Sequence, residues 1–149
     1  MRVVLGVITA IVIGCSVGLG AATNTHSEFG GTVGLANPCN SEGVSAAGPI
    51  KIVYVEEDDH FVVHLTFKAS GTGSQDNDYL FSFVANAQFD EPTGVSGAVS
   101  TFDLPIHGEA ITKGDAPNFD WDLGIRVFVV DGQAVGAFFI GPSSTTCHG

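Results

Sequence analysis

The sequence has few basic residues and few of the common motifs of catalytic and metal centres. Only five Lys and Arg residues oppose sixteen Asp and Glu residues, which gives a formal net charge of −11. A surface of this sign repels phosphate backbones and anionic lipids, so we expect no nucleic-acid partner. The one G-x-S-x-G match, residues 14–18, lies within the apolar N-terminal run, and there is no H-E-x-x-H or C-x-x-C motif, so the sequence names no catalytic residue and no cofactor. A site assembled from distant residues stays open.

The first 22 residues carry the most informative pattern. Arg2 precedes an apolar run, Val3–Leu19, that ends in three small residues. A single positive charge, an apolar middle and small residues at the exit predict a secretory signal peptide at residues 1–22, cleaved after Ala22. We therefore expect a secreted or cell-surface protein in an oxidising compartment.

Two other fates of this segment stay open. The residues before Cys15 loosely match a lipoprotein box, in which Cys15 would be acylated. The run, if uncleaved, is about 20 residues long and could just span a bilayer. A membrane is therefore expected as a partner only through a lipidated Cys15 or an uncleaved N-terminus.

Cleavage leaves two cysteines, Cys39 and Cys147, near the two ends of the mature chain. An even pair in an exported protein most simply forms one disulfide. No histidine lies at ligand spacing from Cys39, which disfavours a metal-thiolate site. The sequence predicts a Cys39–Cys147 disulfide that ties both termini to the domain.

The mature chain divides into an irregular lead-in at residues 23–47 and a single β-domain at residues 48–149. The lead-in is rich in Gly, Ser, Asn and Thr, with one short strand expected at residues 32–35. From Pro49 onward apolar and polar residues alternate with the period of half-buried strands.

Two hairpins are expected in the β-domain. A turn at Asp58-Asp59 would place all apolar residues of 50–69 on one face, with Tyr54 opposite Val63, Ile52 opposite Leu65 and Ile50 opposite Phe67. Asp131-Gly132 is a strong two-residue turn pattern. Pairing about it sets Val129 opposite Ala134, Val127 opposite Gly136, Ile125 opposite Phe138 and Leu123 opposite Ile140.

Further alternating segments lie between the hairpins, at residues 79–88, 95–106 and 109–112, and no segment has a sustained helical period. Gly97 weakens the second of them and Pro105 is expected to end it. About seven to eight antiparallel strands of this size predict an all-β fold, either an antiparallel β-sandwich or a small β-barrel.

Asn37-Pro38-Cys39 and Ala116-Pro117-Asn118-Phe119 resemble a group of small exported bacterial β-rich proteins that have no assigned activity. In that group an N-P-C near the mature start precedes an amphipathic hairpin, a P-N-F precedes a final hairpin, and a cysteine lies near the C-terminus. The resemblance covers residues 37–147. It implies the fold and export, and it brings no catalytic residue.

Acidic loops are the weak candidates for a metal site. Asp76 and Asp78 lie in one predicted loop and Asp90 in the next. Oxygen ligands in loops can bind Ca²⁺, but a full site needs six to eight of them, and the EF-hand spacing is absent. A solvated acidic turn explains the same residues, so no metal is predicted.

His107 and Trp121 are the weak candidates for ligand binding. His107 is a lone histidine in a predicted loop, whereas the parity of Trp121 with Leu123 and Ile125 favours burial. We expect an exported, non-catalytic binding or surface module of unknown ligand, with a small apolar ligand possible if a barrel leaves a cavity. The alternative is a small secreted β-barrel enzyme, a cyclase, isomerase or hydrolase, with a pocket near His107 and Trp121.

Overall fold

Apolar and polar side chains alternate along most of residues 23–148, the part of the chain that the computed structural model describes, and every regular element in that part is a β-strand. The predicted signal peptide, with Cys15, lies outside these residues. Residues 23–148 also contain no helix with the length and apolar character of a membrane span. The strands are β1 (Thr23–Asn37), β2 (Glu42–Glu56), β3 (Phe61–Gly73), β4 (Asp78–Phe89), β5 (Gly94–Ser96), β6 (Val99–Thr112), β7 (Phe119–Val130) and β8 (Gln133–Cys147).

The strands form one antiparallel sheet in the order β1-β2-β3-β4-β6-β7-β8, with β5 paired to β6. The sheet curls into a half-barrel with β1 and β8 at its two edges, and side chains of β1 reach the β7–β8 hairpin. Thr25 Oγ1 donates to the carbonyl of Gly132 at 3.2 Å, and Ser27 Oγ donates to the carbonyl of Ala134 at 2.7 Å. The predicted all-β fold is confirmed.

The register of the β2–β3 hairpin is the predicted one. Tyr54 pairs with Val63, Ile52 with Leu65 and Ile50 with Phe67. All six side chains are buried. Burial of one complete face fixes this register, because a slip of one residue would turn every apolar side chain toward solvent.

The β7–β8 hairpin follows the prediction only next to its turn. Asp131 and Gly132 have φ values of 49° and 73°, as a type I′ turn requires, and Val129 pairs with Ala134. A β-bulge then shifts the register, so that Ile125 pairs with Phe139. The predicted pairing of Ile125 with Phe138 is wrong: Phe138 is 51% exposed, and Phe139 packs against the core instead.

The predicted irregular lead-in at residues 23–47 is wrong, because β1 and the first part of β2 occupy it. Its inward positions alternate as in any strand, but several hold small residues. A Cβ on the inward Gly31 would lie 2.7 Å from the Ile50 side chain, so a larger residue at this position would have to displace Ile50. The β-domain therefore includes residues 23–47, whose small inward residues hide the period of two.

Two features of the next segment also differ from expectation. The chain turns at Gly97, where φ is 62°, so the predicted strand 95–106 is divided between β5 and β6. Pro105 does not end β6. Pairing between β4 and β6 stops at Phe83 and Gly108, so Pro105 faces no β4 partner that would need its missing N–H. His107 consequently lies on a strand and not in a loop.

Apolar side chains fill the interior of the curl. Trp121 lies at the centre, with its ring centroid 5.7 Å from that of Phe83 and 6.3 Å from that of Phe139. Gly108 pairs with Trp121 across β6 and β7, and a Cβ at Gly108 would come within 2.4 Å of the indole. The indole thus occupies the space that a side chain at position 108 would need.

Candidate functional site

The predicted disulfide is confirmed. Cys39 and Cys147 are bonded, with their Cα atoms 5.2 Å apart. The bond joins the β1–β2 turn to the last residue of β8. It therefore fastens the first hairpin to the final strand at one end of the half-barrel.

A buried carboxylate lies at the same end of the half-barrel. Glu42 is fully buried. Its Oε2 accepts hydrogen bonds from Tyr79 Oη at 2.7 Å, Asn77 Nδ2 at 2.9 Å and Asn40 Nδ2 at 3.2 Å, and its Oε1 accepts one from the Gln75 N–H at 2.9 Å. Four neutral donors therefore surround one negative charge.

The hydrogen bonds decide the ionisation of Glu42. Burial by itself raises the pKa of this carboxyl, but the bonds from Tyr79, Asn77, Gln75 and Asn40 outweigh burial and lower its pKa to about 2. Glu42 is therefore ionised at neutral pH and holds no proton to transfer. Its role is to fix the β1–β2 and β3–β4 turns to each other.

Asn37 extends this network to a third loop. Its buried side chain donates to Tyr79 Oη at 3.0 Å and to the carbonyl of Pro117, which lies between β6 and β7, at 2.9 Å. Glu42 is not among the site residues expected from the sequence. The available indication was a lone Glu at the inward parity of Val44 and Ala46 at the start of an amphipathic strand.

An open groove lies on the outer face of β6, β7 and β8. We call it the outer groove, and the residues that line it include Pro105, His107, Asp122, Ile140, Pro142 and Ser144. Its polar end is one row across the three strands, because His107 pairs with Asp122 and Asp122 with Ser144. His107 Nδ1 donates to Asp122 Oδ1 at 2.9 Å, and Ser144 Oγ donates to Asp122 Oδ2 at 3.3 Å.

A second β-bulge shapes the outer groove. Between the pairs Asp122–Ser144 and Gly124–Ile140, β7 contributes one residue and β8 contributes three. Gly141 allows this excursion because its φ of 77° suits glycine. A Cβ at Gly124 would lie 2.9 Å from the Ile140 side chain, so Ile140 packs over the Gly124 backbone in the groove.

The polar end of the outer groove is acidic. The hydrogen bond to Asp122 raises the pKa of His107, and the charges of Asp122, Asp120 and Glu109 add to this shift. The side chain of His107 is 64% exposed. At the opposite end the guanidinium of Arg126 makes two 2.6 Å hydrogen bonds to Asp103, which leaves that end close to neutral.

The structure does not bring His107 and Trp121 together. His107 faces solvent in the outer groove, whereas Trp121 points into the core and is fully buried. Neighbouring strands place His107 and Asp122 on one face of the sheet and Gly108 and Trp121 on the other. His107 and Trp121 therefore do not line one pocket, which is the arrangement that the enzyme alternative expected.

The acidic candidates lie at opposite ends of one strand. Asp76 precedes β4, Asp78 is its first residue, and Asp90 follows its end. Twelve residues at about 3.3 Å each separate the two ends by roughly 40 Å, so these residues cannot share one ion. In residues 23–148 no group of three or more His, Cys, Asp or Glu residues is placed to hold a metal ion.

A scan against protein-family models, a search of curated proteins and a search of solved structures each found no match to this chain.

Proposed function

We propose that the chain is an exported, non-catalytic β-domain that binds its ligand in the outer groove. Buried side chains occupy the interior of the curl, including Trp121, Phe67 and Phe102. A lipid-sized molecule would have to displace such a core at a large cost in free energy. This packing supports a ligand site on the outer face.

One observation carries the proposal: the row His107, Asp122 and Ser144 lies beside apolar walls in an open groove. Binding sites commonly combine apolar contact surface with a few polar groups that orient the ligand. Here the walls are Pro105 and Ile140, and the row supplies a carboxylate, an imidazole and a hydroxyl.

The hydrogen bonds of the row support binding and not nucleophilic catalysis. His107 and Ser144 both donate to Asp122. A serine nucleophile needs its proton accepted by a histidine that a carboxylate orients. In this row the Ser144 proton points to the carboxylate, so His107 does not act as its base.

Export is part of the proposal. The N-terminal pattern of charge, apolar run and small residues supports a signal peptide at residues 1–22. The Cys39–Cys147 bond is compatible with an oxidising, extracytoplasmic compartment. The resemblance to small exported bacterial proteins agrees with this location.

A titration of ¹⁵N-labelled protein, residues 23–149, tests the site. The probes are N-acetyl-lysine methylamide, maltose, benzoate and laurate, each followed by amide chemical shifts. We expect at least one probe to shift amides of residues 105–107, 122–124 and 140–144. The His107→Ala variant should weaken this effect. His64→Ala is the matched control, because His64 is also an outer-face strand histidine bonded to one neighbour, Asn86.

Three outcomes would overturn the proposal. Laurate that shifts the amides of buried residues 63–67 would place the ligand inside the sheet. Chemical conversion of any probe during the titration would indicate an enzyme. Unchanged amide shifts with all four probes would remove the outer groove as a binding site.

A further inference from the structure

We propose that the ligand of the outer groove is an extended peptide that carries an apolar side chain and, two and four residues away, basic side chains. This inference rests on the proposed function and adds the chemical class of the ligand. It follows from the order and spacing of the outward rows on β6, β7 and β8.

Three adjacent rows face outward along these strands. The first is Pro105, Gly124 and Ile140, the second is His107, Asp122 and Ser144, and the third is Glu109, Asp120 and Thr146. The first row is apolar, and the other two each contain acidic side chains. Surface chemistry therefore changes from apolar to acidic along the strand direction.

The spacing of the rows matches an extended peptide. Adjacent outward rows are two residues apart on β6 and lie about 6.6 Å from each other. Alternate side chains of an extended peptide have the same separation, since they point to one face every two residues. A peptide lying along the strands would place side chains i, i+2 and i+4 over the three rows in turn.

The acidic residues of the second and third rows favour basic side chains in the peptide. Within the two acidic rows Asp122 is paired with His107, and Asp120 lies 2.6 Å from His148 Nε2. Neither row contains Lys or Arg. Glu109 is the third acidic residue of the two rows. The chain as a whole carries a formal charge of −11, which also attracts cationic partners and repels anionic ones.

The apolar side chain also has a defined place. Phe138 is 51% exposed and packs at a tilt against Phe128, with ring centroids 5.1 Å apart. This pair lies beyond the apolar row, in the direction away from Asp122. An apolar side chain of the peptide over Pro105 and Ile140 would bury apolar surface of this row that is exposed to water. This burial favours binding.

Fluorescence anisotropy with labelled pentapeptides tests the inference. The probes are Val-Ser-Lys-Ser-Lys, its isomer Val-Lys-Lys-Ser-Ser and the acidic Val-Ser-Glu-Ser-Glu. We expect the first to bind at least about threefold more tightly than its isomer, and the acidic peptide not to bind. Asp122→Asn should weaken the first peptide by about threefold to fivefold, the upper part of the range for exposed charge pairs.

Asp78→Asn is the matched control, because Asp78 is an exposed outer carboxylate on β4 and its loss changes the net charge equally. Equal weakening by both variants, or equal binding of the two isomers, would mean unspecific attraction and would overturn the inference. If the earlier probes shift groove amides but no pentapeptide binds, the ligand class is wrong and the binding site stands. If neither set affects the groove, both proposals fail.

Discussion

Glu42 is the residue whose environment differs most from that of an ordinary glutamate. It is ionised in a buried position, and within residues 23–148 its partners are neutral groups whose hydrogen bonds replace the water it loses. Breaking such a network leaves buried donors unsatisfied, which costs more than the average hydrogen bond contributes. The main consequence of Glu42 is therefore stability.

Replacing Glu42 with glutamine should lower the free energy of unfolding at pH 7 by about 3 kcal/mol, because an amide sets its own N–H against the donors that surround it. A pKa near 2, below the unfolded value of 4.5, stabilises the fold above pH 4.5, and this contribution is lost as the pH falls toward 2. Urea unfolding of both proteins at pH 7 and pH 2.5 measures the difference, which should shrink at the lower pH.

Glu28→Gln is the control for this measurement. Glu28 Oε2 lies 3.7 Å from Lys51 Nζ, and both side chains are exposed. Because exposed ion pairs contribute little, replacing Glu28 should change stability by less than about 1 kcal/mol. A Glu42→Gln effect that stays the same at both pH values would contradict the assigned ionisation.

The limits of sequence reasoning are visible at the same scale. The inward parity of Glu42 could be read from the strand pattern, but its donors could not. Asn40 comes from the adjacent turn, whereas Asn77 and Tyr79 come from a hairpin more than thirty residues away. Hydrogen bonds between distant turns depend on how the sheet curls, and a period of two says nothing about curl.

At the scale of the elements, the two hairpins show what a register prediction needs. The β2–β3 pairing was predicted correctly because both strands keep an unbroken alternation. The β7–β8 pairing was predicted correctly only at its turn, because the first bulge reverses the parity of β8 beyond Val135. A bulge inserts one residue without interrupting the apolar composition, so Phe138 and Phe139 could not be told apart by type.

Alanine variants of the two phenylalanines test the bulge. Phe139→Ala should lower the free energy of unfolding by about 3 kcal/mol, since its ring packs on Phe67, Phe83 and Trp121. Phe138→Ala should lower it by less than about 1 kcal/mol, because that ring is half exposed. Urea denaturation of the two variants measures both losses. A larger loss for Phe138→Ala than for Phe139→Ala would contradict the bulge and support the register without it.

The same bulges explain why the outer groove was not foreseen. His107 was identified as a candidate, but its partners Asp122 and Ser144 come from two other strands. The second β8 bulge brings Ser144 opposite Asp122. Without knowledge of that bulge, the sequence gives no reason to place these three residues in one row.

For the whole molecule, one end of the half-barrel holds several bonds between residues that are distant in the sequence. The disulfide, the Glu42 hydrogen bonds and the Asn37–Pro117 contact all lie there. The disulfide could be predicted because two cysteines in a chain expected in an oxidising compartment have only each other to pair with. The approach of β1 to the last hairpin could not be predicted, because it depends on hydrogen bonds from Thr25 and Ser27 to Gly132 and Ala134.

A double variant, Cys39→Ser with Cys147→Ser, should lose up to about 4–5 kcal/mol of unfolding free energy, because the bond closes a loop of 108 residues. Urea unfolding of the variant and of the oxidised protein gives the value. The intact mass of the oxidised protein should be two hydrogens lower than that of the reduced protein. Two free thiols in the secreted product would contradict the bond.

The strand order has a consequence for how the chain reaches this structure. Apart from the short β5, each strand pairs with its neighbour in sequence, so the ladder can grow hairpin by hairpin with short loops to close. Such local pairing favours fast folding for an all-β protein. Joining β1 to β8 is the step that brings distant segments together, and oxidation of the two thiols makes that last encounter permanent.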